Sequence, residues 1–323
     1  MRILLQDLTD RGAPGLGRPG SISLLRVATG VGLTRFGHEP VETVDDDPEL
    51  ALVDALDVPT EDALEVVEGH CDRSLPVVVR VHGGWRTGDA APATGHPSDA
   101  SVEEQQRRTQ RLLDLGDRLL VSSRSHLVRL AGHHTIDTSR VKLLAPPHPG
   151  FAPARVRGRR RGQAGHVVLA LGDGDLDVLQ HALPATVRIT RPAAAPHDVA
   201  EVDAFRVAVA DADVVALVGG EIWSDRVLLQ SSVDLGRPVV AASGPVTGEE
   251  LARPGVVALA MDATEYEWAD AVDSALSSNT RAALARDDRA QRSTALAERM
   301  RRLTAILFES AASAGDCSDR RAA

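Results

Sequence analysis

The stretch from Asp211 to Ser243, DADVVALVGGEIWSDRVLLQSSVDLGRPVVAAS, reads as strand, loop, helix and strand in immediate succession. Val214 to Val218 is an apolar run of the length of a buried parallel strand, and Gly219-Gly220-Glu221 frees the backbone where that strand ends. Asp225 to Leu235 carries Val227, Leu228, Val233 and Leu235 at roughly helical spacing. Gly236 stops the helix, and Pro238-Val239-Val240 opens the next strand. A strand that crosses through a helix into another strand belongs to an α/β sheet, in which ligands lie outside the carboxyl ends of the strands. Gly219 to Ser224 and Ser243 to Gly248 are therefore expected at one site.

The same alternation runs through the rest of the chain. Strands are predicted over Arg2–Gln6, Pro40–Val44, Leu50–Leu56 and Leu75–Val81, with helices over Ser21–Phe36 and from Thr60 through Val67. Ser101 opens a long polar helix with Glu103 and Glu104 early and Arg107, Arg108 and Arg111 later, an order that suits the helix dipole. Between Pro146 and Gly165 the pattern breaks: PPHPGFAPARVRGRRRGQAG is rich in Pro, Gly and Arg and has no apolar period. Beyond it come segments at His166–Leu171, Asp175–Leu183, Thr186–Thr190 and Val199–Ala210, then a strand at Val256–Ala260 and helices at Glu265–Leu276 and Thr280–Ala312. The expected organisation is an N-terminal Rossmann-like domain (1–150), a linker (151–165), a C-terminal Rossmann-like domain (166–312) and a disordered tail (313–323), the two domains facing a cleft.

A length of 323 residues suits two domains that each bury a core, and a formal charge of −10 argues against general nucleic-acid affinity. Cys71 and Cys317 are far apart in sequence, so no disulfide framework is suggested and a cytoplasmic location is expected. No apolar run approaches the ~18 residues that would cross a bilayer. His126, His133, His134 and His148 lack the spacing of a metal site, and none is expected. The run Arg155, Arg157, Arg159, Arg160 and Arg161 reads as a charged linker.

His82 directly follows a buried strand, and Gly83-Gly84 lets a substrate approach the backbone. Trp85 and Arg86 stand on the same loop, where an indole can cover a sugar face and a guanidinium can hold an anion; both can equally pack the loop. The loop Gly12 to Gly20, GAPGLGRPG, joins the first strand to the first helix, and Gly15 and Gly17 could bring phosphate or acceptor hydroxyls to the helix amides. Gly15, Gly17 and Gly20 also fit a dinucleotide pattern, but Pro19 intrudes and no ribose-binding acid follows.

This ordered set of segments resembles GT-B glycosyltransferases, in particular the family-4-like retaining group that uses nucleotide sugars. The resemblance is carried by Gly37-His38-Glu39, by VVVRVHG from Val77 to Gly83, by Gly116-Asp117 before LLVSSRS from Leu119 to Ser125, by RVKLLAPPHP from Arg140 to Pro149, and by the acidic loop and G-x-P-V turn of the opening segment. It implies two Rossmann-like domains with a last helix that crosses back to the first. It further implies a nucleotide-sugar co-substrate, a small-molecule acceptor and metal-independent transfer with retention, in which His82 and Glu221 orient the sugar. Gly172, Gly219, Gly220, Trp223, Ser224, Ser231, Ser243 and Gly244 would then line the donor site, with Gly15, Gly17, Trp85 and Arg86 on the acceptor or phosphate side.

Two departures stand beside this. The family's two acids, with seven residues between them, fall here on Trp223 and Ser231, and a two-residue shift lets Glu221 replace only the first. Where the family holds the diphosphate with Arg and Lys, this chain has Gly172-Asp173-Gly174-Asp175 and no lysine after it, so helix amides, Arg191, Arg226 or Arg86 would have to compensate. A catalytically silent GT-B homologue acting as a partner or regulatory subunit is the alternative, and an epimerase on the same fold is a third.

Overall fold

The computed structural model describes residues 1–7, 29–55, 59, 61–81, 101–144, 166–171, 176–191, 205, 207–218, 229, 232–233, 235–242, 255–260, 262–277 and 289–313. Among them the chain divides into two compact units. The first holds strands β1 (Arg2–Asp7), β2 (Glu39–Val41), β3 (Leu50–Ala55), β4 (Val77–Val81), β5 (Arg118–Val121) and β6 (Val141–Leu143), with helices α1 (Glu61–Asp72), α2 (Val102–Leu115) and α3 (Arg124–Ala131). The second holds β7 (Val167–Leu171), β8 (Arg188–Thr190), β9 (Val214–Leu217), β10 (Val239–Ala242) and β11 (Val256–Leu259), with α4 (Asp177–Ala182) and α5 (Glu265–Leu276). The final helix α6 (Arg289–Ser313) belongs to the first unit from Glu298 onward, where it buries Met300, Leu303 and Leu307 and Arg302 Nη2 donates to Leu143 O at 3.2 Å.

Both sheets are wholly parallel. The first runs β2-β1-β3-β4-β5-β6 and the second β11-β10-β9-β7-β8, so each is a doubly wound Rossmann-like sheet whose strand order reverses beside its first strand. A parallel sheet covered on both faces needs strands that are apolar throughout, and β3 and β4 are buried at every residue. One face of the first sheet packs Ala51, Val53, Val77 and Val79 against Leu64 and Val67 of α1 and Leu112 and Leu113 of α2. In the second unit Val168, Val214, Ala216 and Val240 pack with Leu179 of α4 and with Trp268, Ala271 and Val272 of α5.

Where the structure describes them, the predicted strands and helices are present with shifted ends; parts of the helices expected at Ser21–Phe36, Asp225–Leu235 and Thr280–Ala312 and of the segment Val199–Ala210, the whole linker 151–165 and the tail after Ser313 lie outside the described residues. α1 continues five residues beyond Val67, because His70 and Cys71 still fall on its buried face. The strand expected from Pro40 to Val44 closes at Val41, and a 3-10 turn over Val44–Asp46 follows, capped by Thr43. Ser101 caps α2 by accepting from Glu104 N at 3.2 Å. Of the arginines on that helix, Arg111 reaches α1, meeting Glu68 at 2.6 Å and Glu61 at 2.9 Å; Arg108 meets Glu61 at 3.2 Å and Glu104 of its own helix at 2.8 Å, and Arg107 pairs with Glu104 at 2.6 Å. Gly236 stops its helix as expected, with φ of 78° and its amide on Val233 O at 2.8 Å.

An aspartate fixes the strand register in each unit. Asp117, just before β5, donates its amide to Val77 O at 2.8 Å and accepts from Val77 N through Oδ2 at 2.8 Å. Asp213, just before β9, repeats the arrangement on Val167, at 2.8 and 2.9 Å. These contacts lie at the amino ends of the strands, away from the ligand edge. Asp213→Ala leaves the Val167 amide without its carboxylate, and a loss of about 1–3 kcal/mol is expected in chemical denaturation. Asp213→Asn, which keeps an acceptor oxygen, is expected to lose less.

Candidate functional site

The second unit builds its ligand edge from three adjacent strands. The chain leaves β7 for β8 on one side and returns to β9 on the other, so the order reverses between β7 and β9. Their carboxyl ends are tied side by side, because Val218 N donates to Leu171 O at 2.8 Å. The next residue after Leu171 is Gly172 and the next after Val218 is Gly219. β10 lies on the far side of β9 with Ala241 opposite Leu217, and Ser243 follows its last residue. Three segments singled out in the sequence thus start from neighbouring strand ends at a reversal of strand order, the place where open α/β sheets bind ligands.

In the first unit the order reverses between β1 and β3. The glycine loop with Gly15 and Gly17 follows β1, which ends at Asp7, and His82 follows β4, which ends at Val81. Trp85 and Arg86 continue from His82. His82, Glu221, Gly172, Gly219, Gly220, Trp223, Ser224, Ser231, Ser243, Gly244, Gly15, Gly17, Trp85 and Arg86 all lie outside the described residues. The structure therefore gives the strand ends that launch them, and no side-chain geometry among them.

One pair escaped the sequence reading. Asp54 and Arg80 are partners in the register of β3 and β4, each one residue before the end of its strand. Arg80 Nε donates to Asp54 Oδ1 at 2.5 Å and Nη2 donates to Oδ2 at 2.8 Å, with the side chains 3% and 4% exposed. The signal was a single charge of opposite sign in each of two apolar strands, LALVDA and VVVRV, at matching distance from their ends. It went unused because only the register reveals that the two stand side by side.

Among the described residues no group of three or more His, Cys, Asp or Glu is placed to hold a metal ion. Nor is any described helix long and apolar enough to cross a membrane. Cys71 is buried, in no disulfide, and its Sγ donates to Leu115 O at 3.8 Å.

His70, at the end of α1, is buried and meets Gln6 Oε1 of β1 through Nε2 at 2.5 Å. Burial, with a smaller contribution from Arg73, holds its pKa below the ordinary histidine value. Desolvation here outweighs the attraction of a helix carboxyl end for a cation. The unfolded chain therefore binds a proton that the folded chain resists. This contribution to stability is full above about pH 6.5 and is lost as the pH falls from there toward the depressed folded value. His70→Gln is expected to flatten the fall in melting temperature between about pH 6.5 and 5; an unchanged slope would contradict it.

No family model matches the chain, and no curated protein matches it in sequence. Solved structures do match its fold. It is similar to the Anabaena protein Alr3699/HepE, solved in complex with UDP-glucose, at 14% identity over 96% of this chain and 100% of that one, with a TM-score of 0.60. Sucrose-phosphate synthase from Thermosynechococcus elongatus matches at 12% identity over 98% and 88%, with a TM-score of 0.54. A glycosyltransferase from Rickettsia africae matches at 11% identity over 96% and 98%, with a TM-score of 0.53. The class that this fold defines is the GT-B-like one: two Rossmann-like α/β units with parallel sheets and a C-terminal helix.

Proposed function

We propose that the chain is a glycosyltransferase that moves a sugar from a nucleotide-sugar donor held by the second unit to a small-molecule acceptor held by the first, with retention and without a metal. The observation that most supports this reading is the pair of tied strand ends, Leu171 and Val218, from which Gly172 and Gly219-Gly220 leave at the reversal of strand order. Residues without side chains there would let a diphosphate reach backbone amides, and such amides with an arginine would carry the charge that develops on the leaving group. The relatives of like fold point the same way, since HepE was solved with UDP-glucose.

In this reading Trp223, Ser224, Ser231, Ser243 and Gly244 complete the donor site, and His82 and Glu221 orient the sugar. Trp85, Arg86, Gly15 and Gly17 serve the acceptor. The cytoplasm is its expected place of action in this reading.

The test is a panel of UDP, GDP, dTDP and ADP sugars scored for release of nucleoside diphosphate. Turnover of one of them is expected. Because Trp223 and Ser231 stand where the family has acids, a chain that binds a donor without turnover would instead be a silent GT-B homologue that works as a partner subunit.

A further inference from the structure

Asp54 and Arg80 differ in kind from the other residues of their strands. In β3 and β4 every other residue is apolar, and the chain places one carboxylate and one guanidinium in register at the penultimate position of each strand. The alternation along the strands puts both on the face of Leu52 and Val78, opposite the face that packs on α1 and α2. The second unit needs no such pair, for β7, β9 and β10 are apolar to their last residues.

Stability does not account for this pair. Two charges taken out of water recover through mutual attraction little more than they lost in hydration, and an apolar pair of similar volume commonly serves the fold as well or better. What the apolar pair cannot do is fix geometry. Two parallel hydrogen bonds from a planar guanidinium lock the distance, the plane and the register of the groups they join. Here they join the ends of two strands at the edge where open sheets bind ligands.

We propose that Asp54 and Arg80 are a positioning pair: they hold the carboxyl ends of β3 and β4 in one fixed relation, and thereby the first unit's ligand edge, rather than stabilising the fold. For its consequence in catalysis the proposal rests on the transferase reading, in which this edge receives the acceptor.

The test is the charge-free double variant Asp54→Leu/Arg80→Met, compared with wild type in three measurements. Its melting temperature is expected to match or exceed that of wild type. Amide hydrogen exchange on the substrate-free chain, followed at 52–55 and 78–81, is expected to speed up about tenfold at the strand ends while the rest of the sheet is unchanged. Transfer from the donor found in the nucleotide-sugar panel is expected to fall about 10- to 100-fold in kcat with the donor Kd unchanged. Unchanged exchange at the strand ends overturns the proposal, and so does full transfer by a variant with loosened ends. A wild-type chain that turns over no donor overturns the transferase reading alone, and the exchange measurement still decides what the pair does. Should the charge-free variant fail to fold, Asp54→Glu/Arg80→Lys keeps both charges, breaks the bidentate fit and is read by the same outcomes.

Discussion

Arg80→Ala is expected to lower the stability of the chain by about 3–5 kcal/mol, the largest loss from any single charged residue described here. The substitution strips the Asp54 carboxylate, 3% exposed, of two hydrogen bonds and of the charge that faces it. Water cannot replace them without opening the sheet, so the carboxylate keeps its desolvation cost with less to offset it. Equilibrium denaturation of wild type, Arg80→Ala and the charge-free double variant checks this, and a single variant as stable as wild type would contradict it.

The second large effect concerns transfer. His82→Ala and Glu221→Gln are each expected to cost about 2–4 kcal/mol in the transition state, or roughly 30- to 1000-fold in kcat/KM, with the fold intact. In the sequence His82 directly follows β4 and Glu221 comes four residues after β9, both past the carboxyl ends of their strands. Ser231→Ala is the control: it stands where the family has an acid, and it is expected to matter little if that role has passed from the site. Wild-type turnover in both site variants would remove them from the mechanism. A loss confined to Ser231→Ala would mean that the loop holding Glu221 is aligned wrongly.

Most of the architecture was legible in the sequence, for a physical reason. Buried parallel strands are near-continuous apolar runs, so VVLAL, VVAL and, despite its one arginine, VVVRV announce themselves, and the glycines and caps that punctuate them follow from backbone sterics and orphan amides. Ser101 and Gly236 act as read. Lateral relations were not legible. Sequence gave no sign that Arg111 reaches across to Glu68, that Asp117 and Asp213 pin neighbouring strands, or that Asp54 and Arg80 stand opposite one another, since each depends on which strands adjoin.

The candidate site residues were chosen by where strands end, and the topology of the second unit puts three of those ends side by side: Leu171 beside Val218, with β10 next to β9. The chemistry was harder to read because this chain departs from the family its segments resemble at the positions expected to carry it, Trp223 and Ser231 in place of acids and Gly172-Asp173 in place of a basic pair.

Calorimetric titration of the chain with UDP, GDP, dTDP and ADP sugars tests the central claim most directly. The account predicts that one of the four binds at a single site with Kd between about 1 µM and 1 mM, and that Gly220→Val, which adds a branched side chain two residues after Val218, abolishes that binding while leaving the melting temperature near that of wild type. No binding by any of the four, or binding untouched by Gly220→Val, would contradict a nucleotide-sugar site at the ends of β7 and β9.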